Sequence, residues 1–85
     1  MYTITISQSA LKEFHNIQKG DALRIEKAIS ALAKNPRPSG VKKLKGSNED
    51  LYRIRSGNYR VIYFIEDEIR IVDIRKIGHR KDIYK

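Results

Sequence analysis

The stretch Tyr59-Arg-Val-Ile-Tyr-Phe-Ile65 constrains this chain more than any other. Tyr59, Val61, Tyr63 and Ile65 are apolar at alternate positions, and Ile62 and Phe64 in the intervening set are apolar too. A strand that is apolar on both faces must be covered on both, so it belongs in the interior of a sheet. Its partners lie close by in the chain. Leu51 to Arg55 reads as a strand that leads into a Ser56-Gly57-Asn58 turn, and the central strand runs from Tyr59 to Glu66. Asp67 then forms a short acidic turn before a third strand from Glu68 to Lys76. Such short connections join antiparallel neighbours, so these three strands form a meander.

The N-terminal half has a different period. Tyr2, Ile4 and Ile6 alternate with threonines, the pattern of a half-buried strand. Ser7 or Ser9 can cap a following helix, because a hydroxyl accepts a free amide hydrogen at a helix start. Ala10, Leu11, Phe14 and Ile17 then share one helical face, and Ala22, Ile25, Ala28, Ile29 and Leu32 form a second stripe. Gly20 suits a left-handed C-cap and Asp21 a new N-cap, so Lys19-Gly20-Asp21 reads as a stop and restart. Pro36 and Pro38 end the second helix. The expectation is an antiparallel helical hairpin from about Gln8 to Lys34 and a loop over 35–50. The element order is then β-α-α-β-β-β, an α+β domain with a helical hairpin packed on one face of a small, mainly antiparallel sheet and the other face partly open.

With 85 residues, one domain over 1–85 is the sensible division. A domain of this size buries roughly 60% of its unfolded surface, which leaves little room for a deep cleft around a large cofactor. The chain has no cysteine, which excludes disulfides, thiolate chemistry and sulfur-ligated zinc. No apolar run approaches the roughly 20 residues of a membrane-spanning helix, and Met1 to Ile6 lack the layout of a signal peptide. A cytoplasmic protein without membrane partners is expected. The formal charge is +8, from 18 Lys and Arg against 10 Asp and Glu. Such an excess predicts attraction to nucleic acid, the ribosome or an acidic protein.

The cations are patterned. Arg53 and Arg55 alternate with Tyr52 and Ile54, and Arg60 follows just beyond the hairpin turn, so three guanidiniums can meet on neighbouring strands. Lys42, Lys43 and Lys45 precede them in the loop. Two readings stay open: a solvated sheet face, or a surface that binds phosphate. At the C-terminus, His79 has the ordinary pKa of a proton carrier. Tyr84 becomes a general acid or base only where nearby cations lower its pKa; otherwise it is an aromatic plug and His79 a surface hydrogen-bonding residue. The only other histidine, His15, lies beside the apolar stripe of the first helix. Glu66, Asp67 and Glu68 read as a solvated hairpin tip. There is neither a Gly-rich phosphate loop nor a His/Cys metal spacing, which argues against a metal-dependent nuclease. Cleaving RNA without metal requires a base for the 2′-hydroxyl, cations for the developing charge and an acid for the leaving oxygen.

Two stretches resemble the RelE branch of the RelE/ParE toxin superfamily. One is Leu51-Tyr-Arg-Ile-Arg-Ser-Gly-Asn-Tyr-Arg-Val-Ile-Tyr63; the other is Gly78-His-Arg-Lys-Asp-Ile-Tyr84, similar to the Gly-His-Arg-x-x-Val-Tyr ending of these toxins. The resemblance spans nearly the whole chain. It implies a toxin of a type II toxin-antitoxin module that cuts messenger RNA in the ribosomal A site by 2′-hydroxyl attack, without cofactor or metal. By position, Arg53 and Arg55 match the phosphate-binding basic residues and Arg60 the arginine that stabilises the transition state. Arg80 matches the proposed acid or charge stabiliser, and Tyr84 the proposed base. The best-known members carry lysines at the two alternating positions; arginine keeps the charge but cannot carry a proton. Arg80 and Tyr84 are also more closely spaced here, which leaves His79 able to share the proton-transfer role. The implied partners are a cognate antitoxin, the ribosome with its messenger RNA, and operator DNA reached only through the antitoxin. The alternatives are a gyrase poison of the ParE branch, a non-catalytic nucleic-acid-binding module, and a decayed toxin that still binds its antitoxin.

Overall fold

A computed structural model describes residues 1–45 and 50–79. Its elements are β1 (Thr3–Ile6), α1 (Gln8–His15), α2 (Lys19–Ala31), β2 (Lys42–Lys43), β3 (Leu51–Ser56), β4 (Tyr59–Glu66) and β5 (Ile71–His79). The strands form one sheet in the order β1-β5-β4-β3-β2. All neighbours are antiparallel except β1 and β5, which run parallel with Thr3 opposite Ile71. The expected α+β architecture is therefore present, with β4 in the middle. Among the described residues no helix is long and apolar enough to cross a membrane.

The core lies between the helices and one face of the sheet. Val61, Tyr63 and Ile65 of β4, Val72, Ile74 and Ile77 of β5 and Ile54 of β3 point into it, against Ala10 of α1, Ile25 of α2 and Leu32 just beyond it. α1 lies along β5 and α2 over β3. Ser7 is the N-cap: its Oγ accepts from the Ala10 amide at 3.1 Å and donates to the Arg75 carbonyl at 3.1 Å, which ties the helix start to β5. β3 and β4 turn through Gly57 and Asn58, with Gly57 at φ 61°, the conformation that the first position of a tight hairpin turn takes most readily in glycine.

Four local expectations are corrected. The helices part at Asn16 to Gln18, so Gly20 and Asp21 lie inside the first turn of α2; Asp21 serves there as an acid near the helix N-terminus. The 35–50 segment is not all loop, because Lys42 and Lys43 pair with Arg53 and Tyr52 as a short edge strand. The turn after β4 extends to Arg70, which takes φ 54°, so β5 starts three residues later than expected and runs on to His79. Asp67 is not merely solvated. It accepts Tyr2 Oη at 2.6 Å and the Arg37 guanidinium at 2.9 and 3.3 Å, and these two partners hold its carboxyl below the usual carboxylate range.

One irregularity governs the site. Ile62 pairs with Lys76, but the next residue, Tyr63, pairs with Ile74. Arg75 is the extra residue of a β-bulge, and beyond it the parity of β5 is reversed. Even-numbered Val72 and Ile74 face the core before the bulge, and odd-numbered Ile77 does so after it.

Candidate nucleic-acid interface

Residues directly paired across a sheet point to the same side. Lys42 pairs with Arg53, Arg55 with Arg60, Arg53 with Ile62, and Ile62 with Lys76. Lys42, Arg53, Arg55, Arg60 and Lys76 thus form a continuous cationic surface on the face away from the helices. Like charges this close repel unless an anion lies among them, which favours a phosphate-binding surface over a merely solvated face. Lys76 did not stand out in the sequence, because the bulge breaks the alternation that would have placed it with the others.

Arg60 differs from its neighbours. It is 7% exposed and is the sole charged residue among the buried positions described. Its Nε is buried without a hydrogen-bond partner. A buried donor left unsatisfied costs on the order of 1–3 kcal/mol, more when charged, and a bound anion removes that cost. Ile62, 9% exposed and outside the helix-side core, shares this face between its pairing partners Arg53 and Lys76. Across β5 from Arg60 stands Gly78; a glycine inside a strand leaves the sheet bare for another group to approach. The acids of this face, Glu66 and Asp73, lie toward the other end of β4, and Asp73 is engaged by Thr5 and Arg75.

Not every expected residue joins this surface. Lys43 points the other way, toward the helix side, and pairs with Asp50 at 3.1 Å, which raises its pKa. Lys45 is exposed just past β2. His79 lies on the helix-side face, where its ring meets Tyr59 edge-on at 5.6 Å beside Glu13, Asn16 and Ile17 of the first helix end. The sheet separates it from Arg60. Arg80 and Tyr84 lie outside the described residues. The described part of the site can bind a phosphodiester and stabilise negative charge. Among the described residues no three His, Cys, Asp or Glu side chains gather as metal ligands would.

Comparison with known proteins agrees with this layout. The model of the ParE toxin of type II toxin-antitoxin systems matches residues 4–84. A RelE1 toxin candidate of Methanocaldococcus jannaschii is 34% identical, with 99% of this chain and 96% of the relative covered. Toxin RelG of Mycobacterium tuberculosis is 32% identical over 99% of this chain and 97% of its own. Among solved structures, the archaeal RelE-RelB complex from Pyrococcus horikoshii superposes with a TM-score of 0.83 at 30% identity, covering 95% of this chain and 97% of that one. A family match over nearly the full length, joined to the same sheet and helix arrangement, places the chain in the RelE/ParE family: it is a toxin of a type II toxin-antitoxin system.

Proposed function

We propose that this toxin is a metal-independent endoribonuclease that cuts messenger RNA in the A site of the ribosome and so stops translation. The observation that carries the reading is Arg60, a nearly buried guanidinium with an unsatisfied donor, set in a row of more accessible cations. A gyrase-binding surface needs positive charge but no such preorganised, partly desolvated cation. Preorganised charge in a site that excludes water is the device that stabilises a developing oxyanion.

In this mechanism Tyr84 removes the proton from the 2′-hydroxyl, and the 2′-oxygen attacks the adjacent phosphorus. The bond to the 5′-oxygen breaks, leaving a 2′,3′-cyclic phosphate on one fragment and a 5′-hydroxyl on the other. Arg80 neutralises the charge on the leaving 5′-oxygen, which takes its proton from water. Arg53, Arg55 and Lys42 hold the phosphate backbone, and Arg60 stabilises the extra charge on phosphorus-bound oxygen. His79, across the sheet, keeps the end of β5 against Tyr59. Lys43 and Lys45 add to the long-range attraction for RNA. The partners are the ribosome with its messenger and a cognate antitoxin, as in the RelE-RelB complex, with operator DNA reached through the antitoxin, all in the cytoplasm.

The ParE name of the matching family model favours a second reading, a gyrase poison without nuclease activity. A cell-free translation assay separates the two. The 5′ ends of a defined messenger are mapped with wild-type protein and with Arg60→Ala. The nuclease reading expects cuts within codons that appear only on translating ribosomes, reduced at least 100-fold in the variant, the usual scale for losing one oxyanion donor. Intact messenger with translation proceeding sinks it, and a supercoiling assay with gyrase then tests the alternative.

A further inference from the structure

β2 is only two residues long, so it covers Tyr52 and Arg53 of β3 and leaves the outer edge of Ile54 to Ser56 without a strand neighbour among the described residues. A groove of about 490 Å³ opens along this uncovered edge. One wall is α2, through Ala28 and Ala31; the other is the Pro38–Gly40 segment; Lys42, Arg53 and Arg55 line its rim. We infer that this groove is a nucleoside subsite, which takes the base and ribose of the nucleotide next to the cleaved phosphate in single-stranded RNA. The inference rests on the ribonuclease reading and adds to it a place for a neighbouring nucleotide.

Three features support that occupant. The walls are small and largely aliphatic, which leaves a slot rather than a filled core. Its rim holds three cations on the side shared with Arg60, so a ligand with an apolar plane and an anionic tail matches it. Arg55, at the mouth, pairs directly with Arg60 one strand away, a spacing of about 4.8 Å. Alternation of the ladder supplies the third feature. Leu44 donates to the Leu51 carbonyl at 2.8 Å, so Leu51, Arg53 and Arg55 turn their backbone groups outward. The amide and carbonyl of Arg55 thus face the groove with no strand to pair them, as hydrogen-bonding groups for a base edge.

The outer wall is built to hold its shape. Tyr63 Oη donates to the Pro36 carbonyl at 2.7 Å inside the core. Arg37 joins Asp67 at 2.9 Å and lies over the Tyr52 ring at 5.2 Å. Val41 donates back to the Pro38 carbonyl at 3.1 Å, with Gly40 at φ 87° in that turn. An extended acidic peptide is the competing occupant. One outward-facing residue on a three-residue edge gives it too short a ladder, since strand addition draws its affinity from repeated main-chain bonds.

The test uses the full chain, a short single-stranded RNA made uncleavable by a 2′-deoxy sugar at the scissile position, and inorganic phosphate as a second ligand. Ala31→Leu fills the groove from an exposed helical position with a residue of good helix propensity. The expected result is about a tenfold loss of RNA affinity, the scale of one displaced base, with phosphate affinity and melting temperature unchanged. In a parallel measurement on wild-type protein, RNA but not phosphate shifts the amide resonances of Ala28, Ala31 and Gly40. RNA binding undiminished in the variant, or resonance shifts confined to the open sheet face, overturns the subsite and leaves the ribonuclease reading standing. Wild-type protein that binds no free RNA overturns the subsite alone; loss of cutting on translating ribosomes is what overturns the ribonuclease reading. If Ala31→Leu blocks an acidic peptide but not RNA, the groove belongs to a protein partner and the inference is wrong.

Discussion

Tyr63 and Arg60 show what a single position contributes here. Tyr63 is wholly buried; burial pushes its phenol up to about 12, against a weaker opposing effect of Arg37. A folded-state pKa above the unfolded value means stability that is complete below about pH 10 and lost as pH rises toward 12. At neutral pH, Tyr63→Phe should cost about 1 kcal/mol, because the Pro36 carbonyl loses its donor. Urea titrations at several pH values should show this deficit shrinking between pH 10 and 12; a constant deficit would mean that the phenol does not govern the alkaline limb. Arg60 was legible from its spacing to Arg53 and Arg55, since alternation and a short turn put all three on one face. Its burial was not, because that depends on how β3 and β5 flank it in the folded sheet. The side of the sheet that His79 occupies was not legible for a related reason: it depends on an extra residue four positions earlier.

Among the elements, β4 was read with its full extent because both of its faces are apolar and its flanking turns are short. The helix boundary was harder. Gly20 and Asp21 are the residue types of a break, yet the chain breaks at Asn16 and uses them within a turn of helix. Packing of Ile25 and Leu32 against the sheet outweighs the propensity cost of one glycine, roughly 1 kcal/mol. The two-residue β2 has no periodicity to detect and follows from pairing with β3 alone. Ser7 fits the capping role its residue type suggested, and it also bonds to β5. Ser7→Ala should therefore lower stability by about 1 kcal/mol, read as a shift in the urea midpoint. RNA affinity should be unchanged, because α1 lies on the helix side of the sheet; a parallel loss of RNA binding would show that the cap reaches the cationic face.

For the whole molecule, net charge and face assignment make separate predictions. A charge of +8 steers the toxin toward RNA wherever the cations stand, but only those against the phosphates release counterions on binding. With Lys42, Arg53, Arg55 and Arg60 in contact, log affinity for single-stranded RNA should fall with log salt at a slope of about −3, and Lys42→Ala should flatten it by about 0.7. Lys43→Ala, the same charge change on a residue paired with Asp50 on the other face, should leave the slope nearly intact; equal effects would mean that only total charge matters. The bulge at Arg75 has a consequence for ancestry as well. Because one supernumerary residue decides that Gly78 lies beside Arg60 and His79 beside Tyr59, the segment from Ile74 to Gly78 is held to its count of residues. Within this lineage, insertions and deletions in that segment should be purged more strictly than substitutions at its half-buried positions Arg75 and Lys76, since a single lost codon would exchange the two faces of the strand beyond it.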